Sequence, residues 1–335
     1  MKKQITLIFI ISMMIVLIMP LNAYSKQETR QEDLPENKTL ETKPPQSAEY
    51  YKNQGNKYFQ EGDLAKAREN YDRALLVEPD NFKVLHNVGV VYLREDNYDM
   101  AIEYFEKALN IKDDDVEIHN KLAYSYIEKG DIDKAIESFE KSLSLDSEND
   151  FALFTLGFLY KESGNYERAI ETLNKAIANN PLESRLYSEL GSVYYALNNF
   201  DEAINTLNKA LSLNSDDAFA YYYSGLSYAK KKEFLKAIEM LNKSIALDDK
   251  NFDAYKRVGF LYYEAENYDN ALNNLEKAAE LNPEDVDTLV GIGVCYIKKD
   301  NNQKALEIYN KARLLSPDNG FIQMKINLLE KEVNK

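Results

Sequence analysis

Along most of this chain, apolar residues recur in pairs of helical stretches. Between Asp150 and Glu183, Leu153, Leu156, Gly157 and Tyr160 fall at i, i+3, i+4 and i+7, which is one face of an α-helix. Gly164 and Asn165 interrupt the pattern. A second face begins at Tyr166 and runs through Ala169, Ile170, Leu173, Ala176 and Ile177. Pro181 closes the stretch, because a ring without an N–H cannot continue that helix. The spacing predicts a helical hairpin, and no strand.

Shifting the chain in steps of 34 residues aligns eight such hairpins without an insertion: 48–81, 82–115, 116–149, 150–183, 184–217, 218–251, 252–285 and 286–319. Counting from Ala48, position 8 is Gly in seven repeats and Ala123 in the third, position 11 is always Tyr, and position 20 is always Ala. Position 27 is Ala in six repeats, with Ser142 and Ser244 in the other two. A glycine inside a helix costs roughly 1 kcal/mol relative to Ala, so a fixed register of them needs a reason. The expected reason is closeness: position 8 of the first helix lies on the small residue at position 20 of the second, and the Tyr at position 11 fills the wider space beyond.

This pattern resembles the tetratricopeptide repeat family. A small residue at position 8, an aromatic at 11, Ala at 20, an aromatic or Leu at 24, a small residue at 27 and a proline at 32 all occur here over residues 48–319. Two departures are mild. Position 4 holds Tyr, Leu or His119 in place of Trp, and the closing proline occurs only as Pro79, Pro181, Pro283 and Pro317. The resemblance implies an all-α fold, a right-handed α-solenoid or superhelix of helix-turn-helix hairpins. No hairpin of such an array covers its own apolar face, so its ends need caps. Arg68, where other repeats carry Ile or Leu, fits a first repeat facing water, and Arg313 is its counterpart at the far end. Residues 320–335 place Ile322, Ile326, Leu329 and Val333 on one face and read as a C-terminal capping helix.

Residues 1–25 read as an export signal. Lys2 and Lys3 precede an apolar run from Ile5 to Met19, and Ala23 and Ser25 prepare a cut before Lys26. The alternative is an uncleaved N-terminal anchor, although the run is short of the ~20 residues that span a bilayer comfortably. Either places the array in the cell envelope, the periplasm or outside the cell. Residues 26–47 mix charges and prolines with few large apolar side chains and read as a disordered linker. Asn37-Lys38-Thr39 within it matches a glycosylation acceptor. A net charge of −15 argues against nucleic acid and against adhesion to anionic lipid, so no membrane contact beyond an N-terminal anchor is expected.

The residues display no catalytic constellation and no cofactor motif, and an enzyme is not expected. His119 sits at a core position, and His86 has no Cys or second His at ligand spacing. Asp113, Asp114 and Asp115 precede a helix and suit its N-terminus better than a calcium loop. Cys295, the single cysteine, stands where other repeats have Val or Leu and reads as core filler.

What remains is a surface. In arrays resembling this one the concave wall comes from positions 2, 5, 6, 9, 12 and 13 of the first helix. Here repeats four to seven supply Phe151, Phe154, Phe158, Tyr195, Phe219, Tyr222, Tyr223, Phe260 and Tyr263 at those positions, edged by Asp253, Lys256, Arg257 and Asp287. Some of these rings must pack between repeats, and the rest form a recognition patch. Lys52, Asn56, Asn87 and Lys121 match part of the clamp with which family members grip a terminal carboxylate, but Glu117 stands where a basic residue belongs. The expected function is a non-enzymatic scaffold that binds a peptide or partner protein in its groove. The alternative is a glycan-binding module of envelope polysaccharide assembly or export that stacks sugars on the same rings.

Overall fold

A computed structural model of the chain describes residues 46–333. The export signal or anchor, the linker as far as residue 45 and the glycosylation acceptor therefore lie outside the described residues. Within them the protein is all α-helical, with seventeen helices and no strand. No helix among the described residues is long and apolar enough to cross a membrane.

The chain divides into two compact units between Ser163 and Gly164, inside the fourth repeat. The first unit holds α1 (Ala48–Gln60), α2 (Leu64–Val77), α3 (Phe82–Arg94), α4 (Tyr98–Ile111), α5 (Val116–Lys129), α6 (Ile132–Leu145) and α7 (Asp150–Glu162). The second begins with α8 (Tyr166–Asn179), α9 (Ser184–Ala196), α10 (Phe200–Leu213), α11 (Ala218–Lys230) and α12 (Phe234–Leu247). It continues with α13 (Phe252–Glu264), α14 (Tyr268–Leu281), α15 (Val286–Lys298), α16 (Asn302–Leu315) and α17 (Gly320–Val333). Within each unit every helix packs on its neighbours in sequence, first inside the hairpin and then against the next hairpin. Serially stacked hairpins are the solenoid class of fold.

Short polar residues start most of these helices. Asp63, Asn81, Asn97, Asp131, Asn149 and Asn165 each cap a helix by accepting a hydrogen bond from the backbone N–H three residues on. Ser47, at the end of the linker, does the same for α1. Asp115 accepts from the Ile118 N–H at 3.1 Å, so the acidic run before α5 supplies a helix cap. His119 is buried, and its Nε2 donates to the Asp113 carbonyl at 2.9 Å. Each hairpin then turns through position 15 in the left-handed region. Three repeats place Gly there, as Gly130 does at φ +79°, but Asp96, Asn198, Lys232, Glu266 and Asp300 adopt φ between +54° and +62°.

The glycines of position 8 are buried, but they do not chiefly face position 20. A Cβ built on Gly89 would lie 2.6 Å from the Phe105 ring, and one on Gly225 would lie 2.6 Å from Cγ of Leu241. The same holds for Gly55 against Tyr71, Gly191 against Leu207, Gly259 against Leu275 and Gly293 against Tyr309. All of these partners stand at position 24, one turn beyond the Ala of position 20 on the same helix face. The glycine admits a large side chain, and the Ala, wholly buried in every repeat, lets the backbones approach beside it. Arg68 also departs from expectation. It bonds Glu95 of the next repeat at 2.6 Å and lies over the Tyr92 ring, so it ties two repeats together more than it faces water. At the far end Ile322, Ile326 and Leu329 of α17 are buried as a cap requires, whereas Val333 is 37% exposed.

Candidate partner-binding face

The aromatic set divides between the two units, and depth of burial sorts it further. In the first unit α7 is buried along nearly its whole length, and Phe154 and Phe158 are buried with it. They are core residues, not exposed anchors. Phe151 is half-buried and meets Phe139 edge-on at 5.6 Å.

The second unit keeps its rings at an intermediate depth. Tyr195, Phe219, Tyr222, Tyr223, Phe260 and Tyr263 are all half-buried. Asp217 and Asn251 cap α11 and α13 at 2.9 Å each, which fixes where those helices start and so which way their faces point. Tyr223 is the hub. Its ring lies 4.6 Å from Phe219, 5.4 Å from Tyr222 and 5.6 Å from Tyr195, so α9 and α11 share one aromatic cluster. The undersides of Tyr195 and Tyr223 rest on the core around Ala203, Leu207 and Ala220, and Tyr222 rests on the core around Leu241 and Val258. Phe260 presses on α15, where a Cβ on Gly291 would come within 2.9 Å of its ring. Gly291 is therefore part of the site's support, and only its place outside the repeating glycine register hinted at that.

Charges edge this face unevenly. Lys256 reaches Asp285 at 2.8 Å and Asp287 at 3.6 Å. Burial pushes the Asp285 carboxyl up, but hydrogen bonds from Lys256 and Thr288 outweigh it and hold the group below the usual carboxylate range. Burial raises Asp253, and it raises the phenols of Tyr195 and Tyr222 against the opposing charge of Arg257. Arg257 itself has its Nε sealed from solvent with no hydrogen-bond partner. An unmet buried donor of this kind costs about 1–3 kcal/mol, and more on a charged group.

The clamp residues lie in the first unit. Asn87 donates to Asn56 Oδ1 at 2.9 Å, and the Tyr71 hydroxyl donates to the same oxygen at 2.7 Å, so the two asparagines do meet. Lys52 is bound to Glu49 at 2.6 Å and Lys121 to Glu117 at 3.3 Å, so each lysine is engaged by an acid of its own helix. His86 faces the same Glu117 at 3.9 Å, and burial lowers its pKa. Among the described residues no three acidic, histidine or cysteine side chains gather at metal-holding distance. A cavity of about 550 Å³ opens elsewhere, between α14, α15 and α16, lined by Ala279, Leu289, Ile292, Ile308 and Leu314. None of the sequence-predicted site residues lines it.

Hairpins in one register, with an aromatic face on their first helices, define a helical-repeat protein. Family models described as tetratricopeptide repeat match residues 46–114, 80–148, 126–190 and 262–324, and one described as TPR repeat matches residues 191–232. The chain belongs to the tetratricopeptide repeat family. No curated protein sequence matches it. Among solved structures it is similar to a tetratricopeptide repeat protein from Parabacteroides merdae, at 18% identity and a TM-score of 0.57, over 74% of this chain and 98% of that one. The C-terminal part of a repeat protein from Cytophaga hutchinsonii is similar at 21% identity and a TM-score of 0.56, over 71% of this chain and 98% of that one. A chain of the APC/C hetero-tetramer Cut9–Hcn1 aligns at 16% identity and a TM-score of 0.57 over 79% of this chain. That match spans only 52% of the other chain, about half its length. At these identities the likeness is one of fold.

Proposed function

We propose that this protein is a non-enzymatic interaction scaffold of the cell envelope that binds an extended segment of a partner protein along the first helices of its second unit. The family is one of protein-interaction scaffolds, and the aromatic cluster supplies the local reason. Tyr195, Phe219, Tyr222 and Tyr223 are joined ring to ring, the three tyrosines are anchored below in two cores, and all four rings are left half-open. That is how an interface anchor is held: rigid, amphipathic and already desolvated on one side. The ring geometry favours a peptide over a sugar. Tyr222 and Tyr223 meet at 86° and Tyr195 and Tyr223 at 72°, so the rings stand edge to face and form no common flat platform for a run of stacked sugars. The envelope part of the proposal rests on the basic start and apolar run of residues 1–25.

The test is selection of random nonapeptides on the full chain. A family of enriched peptides whose affinity falls about tenfold or more on replacing Tyr195, Tyr222 and Tyr223 with Ala supports the proposal. Circular dichroism must show that this variant stays helical. Enriched peptides that bind the folded variant equally well would place the site elsewhere.

A further inference from the structure

The cavity between α14, α15 and α16 lies where two short side chains meet at one junction between repeats. Position 28 is Leu or Ile in repeats one to six, and Ile245 there packs on the core around Val258 of the next repeat. The seventh repeat has Ala279 instead, a methyl in place of a branched chain. Position 4 of the eighth repeat is Leu289, where repeats five to seven carry Tyr187, Tyr221 and Tyr255. Ala279 and Leu289 both line the cavity, whose volume is about 550 Å³.

Other repeats show what this place holds when position 4 is a ring. Tyr187 donates its hydroxyl at 3.0 Å to the carbonyl of Pro181, position 32 of the preceding repeat, and His119 meets the Asp113 carbonyl at 2.9 Å in the same way. The cation of position 26 lies over the ring. Lys209 stands 6.0 Å from the centroid of Tyr187, Lys243 5.6 Å from that of Tyr221, and Arg73 6.0 Å from that of Tyr51. At the cavity the same two positions are Pro283 and Lys311, and both line it. Lys311 has no ion-pair partner among the described residues. The acids on the rim are engaged elsewhere, Glu276 by the Tyr296 hydroxyl at 2.7 Å and Glu280 by Lys277 at 2.8 Å. The floor is apolar, with Leu289 and Ile292 buried.

We infer that this cavity is a second binding site, separate from the aromatic face, for a free small molecule built of a phenol ring and a short apolar tail. The ring lies beneath Lys311, its hydroxyl donates to the Pro283 carbonyl as that of Tyr187 does to Pro181, and the tail fills the space beside Ala279. The volume falls in the ordinary range of small-molecule sites, about 300–1,000 Å³, and exceeds what one ring fills, so the ligand carries a tail. A neutral phenol suits the site better than a carboxylic acid, because Glu276 and Glu280 on the rim repel an added anion.

The test uses the full chain with 4-propylphenol as the probe. The controls are 4-propylanisole, which has no hydroxyl proton, and 4-propylcyclohexanol, which has no aromatic ring. Calorimetric titration should show the phenol binding about fivefold or more tighter than either control. Lys311→Met should narrow the preference over the cyclohexanol and keep the preference over the anisole. Leu289→Tyr and Ala279→Leu, each restoring the residue type of earlier repeats, should abolish binding and raise the melting temperature, a gain that misfolding cannot produce. Phenol binding unchanged in both filled variants, no preference over the controls, or no binding to the wild-type chain would overturn the inference and leave the peptide-binding proposal standing. A probe of N-acetyl-tyrosyl-leucine amide bound more tightly than 4-propylphenol would overturn the small-molecule assignment and give the ring to a partner's side chain.

Discussion

Tyr126 donates its hydroxyl to Oε1 of Glu106 at 2.6 Å, joining the first helix of the third repeat to the second helix of the repeat before it. The same bond recurs twenty residues apart between Tyr296 and Glu276 at 2.7 Å, and between Tyr160 and Glu140. The invariant Tyr of position 11 thus does more than fill space. It fastens one hairpin to the previous one wherever position 25 is Glu, and in repeats four to six that position is Asn174, Asn208 and Asn242.

Tyr126→Phe keeps the ring and removes the tie. Tyr126 is 7% exposed, so the bond is shielded, and its loss should cost about 1 kcal/mol. Urea melts of the full chain, with hydrogen exchange read at α4 and α5, measure this. Unchanged protection of both helices would mean that the bond does not couple the repeats.

A second prediction concerns the glycine register. Gly225→Ala places a methyl 2.6 Å from Cγ of Leu241 and 3.1 Å from the Ala237 carbonyl, so both a branched side chain and a backbone would have to give way. Overpacking of this kind costs roughly 1–3 kcal/mol, against about 1 kcal/mol recovered in helix propensity. Net destabilisation is expected. In the third repeat, where position 8 is already Ala123, buried like Phe139 at position 24, Ala123→Gly should destabilise by about 1 kcal/mol through propensity alone. Opposite signs for the two changes in a thermal melt would show that the register serves something other than packing.

Much of the architecture was legible because the residues that set it recur on a fixed beat. Ala at position 20 and Ala or Ser at 27 were read as packing positions, and all sixteen are buried. The facing partner of the glycine was misplaced by one turn, because positions 20 and 24 share a helix face and periodicity cannot say which of them lies opposite. Periodicity also gives a direction without a depth. Phe154 and Tyr222 occupy the same position in their repeats, yet one is buried and the other half-open. From the sequence Arg257 reads only as an edge charge, since nothing in a sequence reports that its Nε is buried without a hydrogen-bond partner.

The left-handed turn residues give a graded prediction. Lys232 and Glu266 hold φ near +60°, which costs a side-chain-bearing residue roughly 1–2 kcal/mol, whereas Asn tolerates that region better. Part of the gain on changing to Gly is returned as greater freedom of the unfolded chain. Lys232→Gly and Glu266→Gly should therefore each stabilise by about 0.5–1 kcal/mol, and Asn198→Gly by less. Equal midpoints for all three variants and the parent in urea would contradict the ranking.

Alkaline pH should unfold the second unit through groups that the fold keeps neutral. Burial pushes the Cys295 thiol up to about 11 and the Tyr309 phenol up to about 12, from ordinary values of 9.0 and 10.0. Tyr296 also stands at about 12, raised by burial and then by its bond to Glu276. As pH rises, the unfolded chain releases these protons first, so between the two sets of values it binds fewer protons than the folded chain and stability falls. Stability is therefore full below about pH 9 and declines as pH climbs through 9 to 12. Cys295→Val, the residue found at that position as Val91 and Val193, should delay the onset, because the thiol is the first of the three to ionise in the unfolded state. Tyr309→Phe should act at neutral pH as well. Its hydroxyl is sealed without a partner, so removing it should stabilise by up to about 1 kcal/mol while also flattening the upper part of the decline. Melting temperatures from pH 7 to 12 for the parent and both variants measure each effect. Superimposable curves for the parent and Cys295→Val would show that the thiol is not shielded as the fold requires.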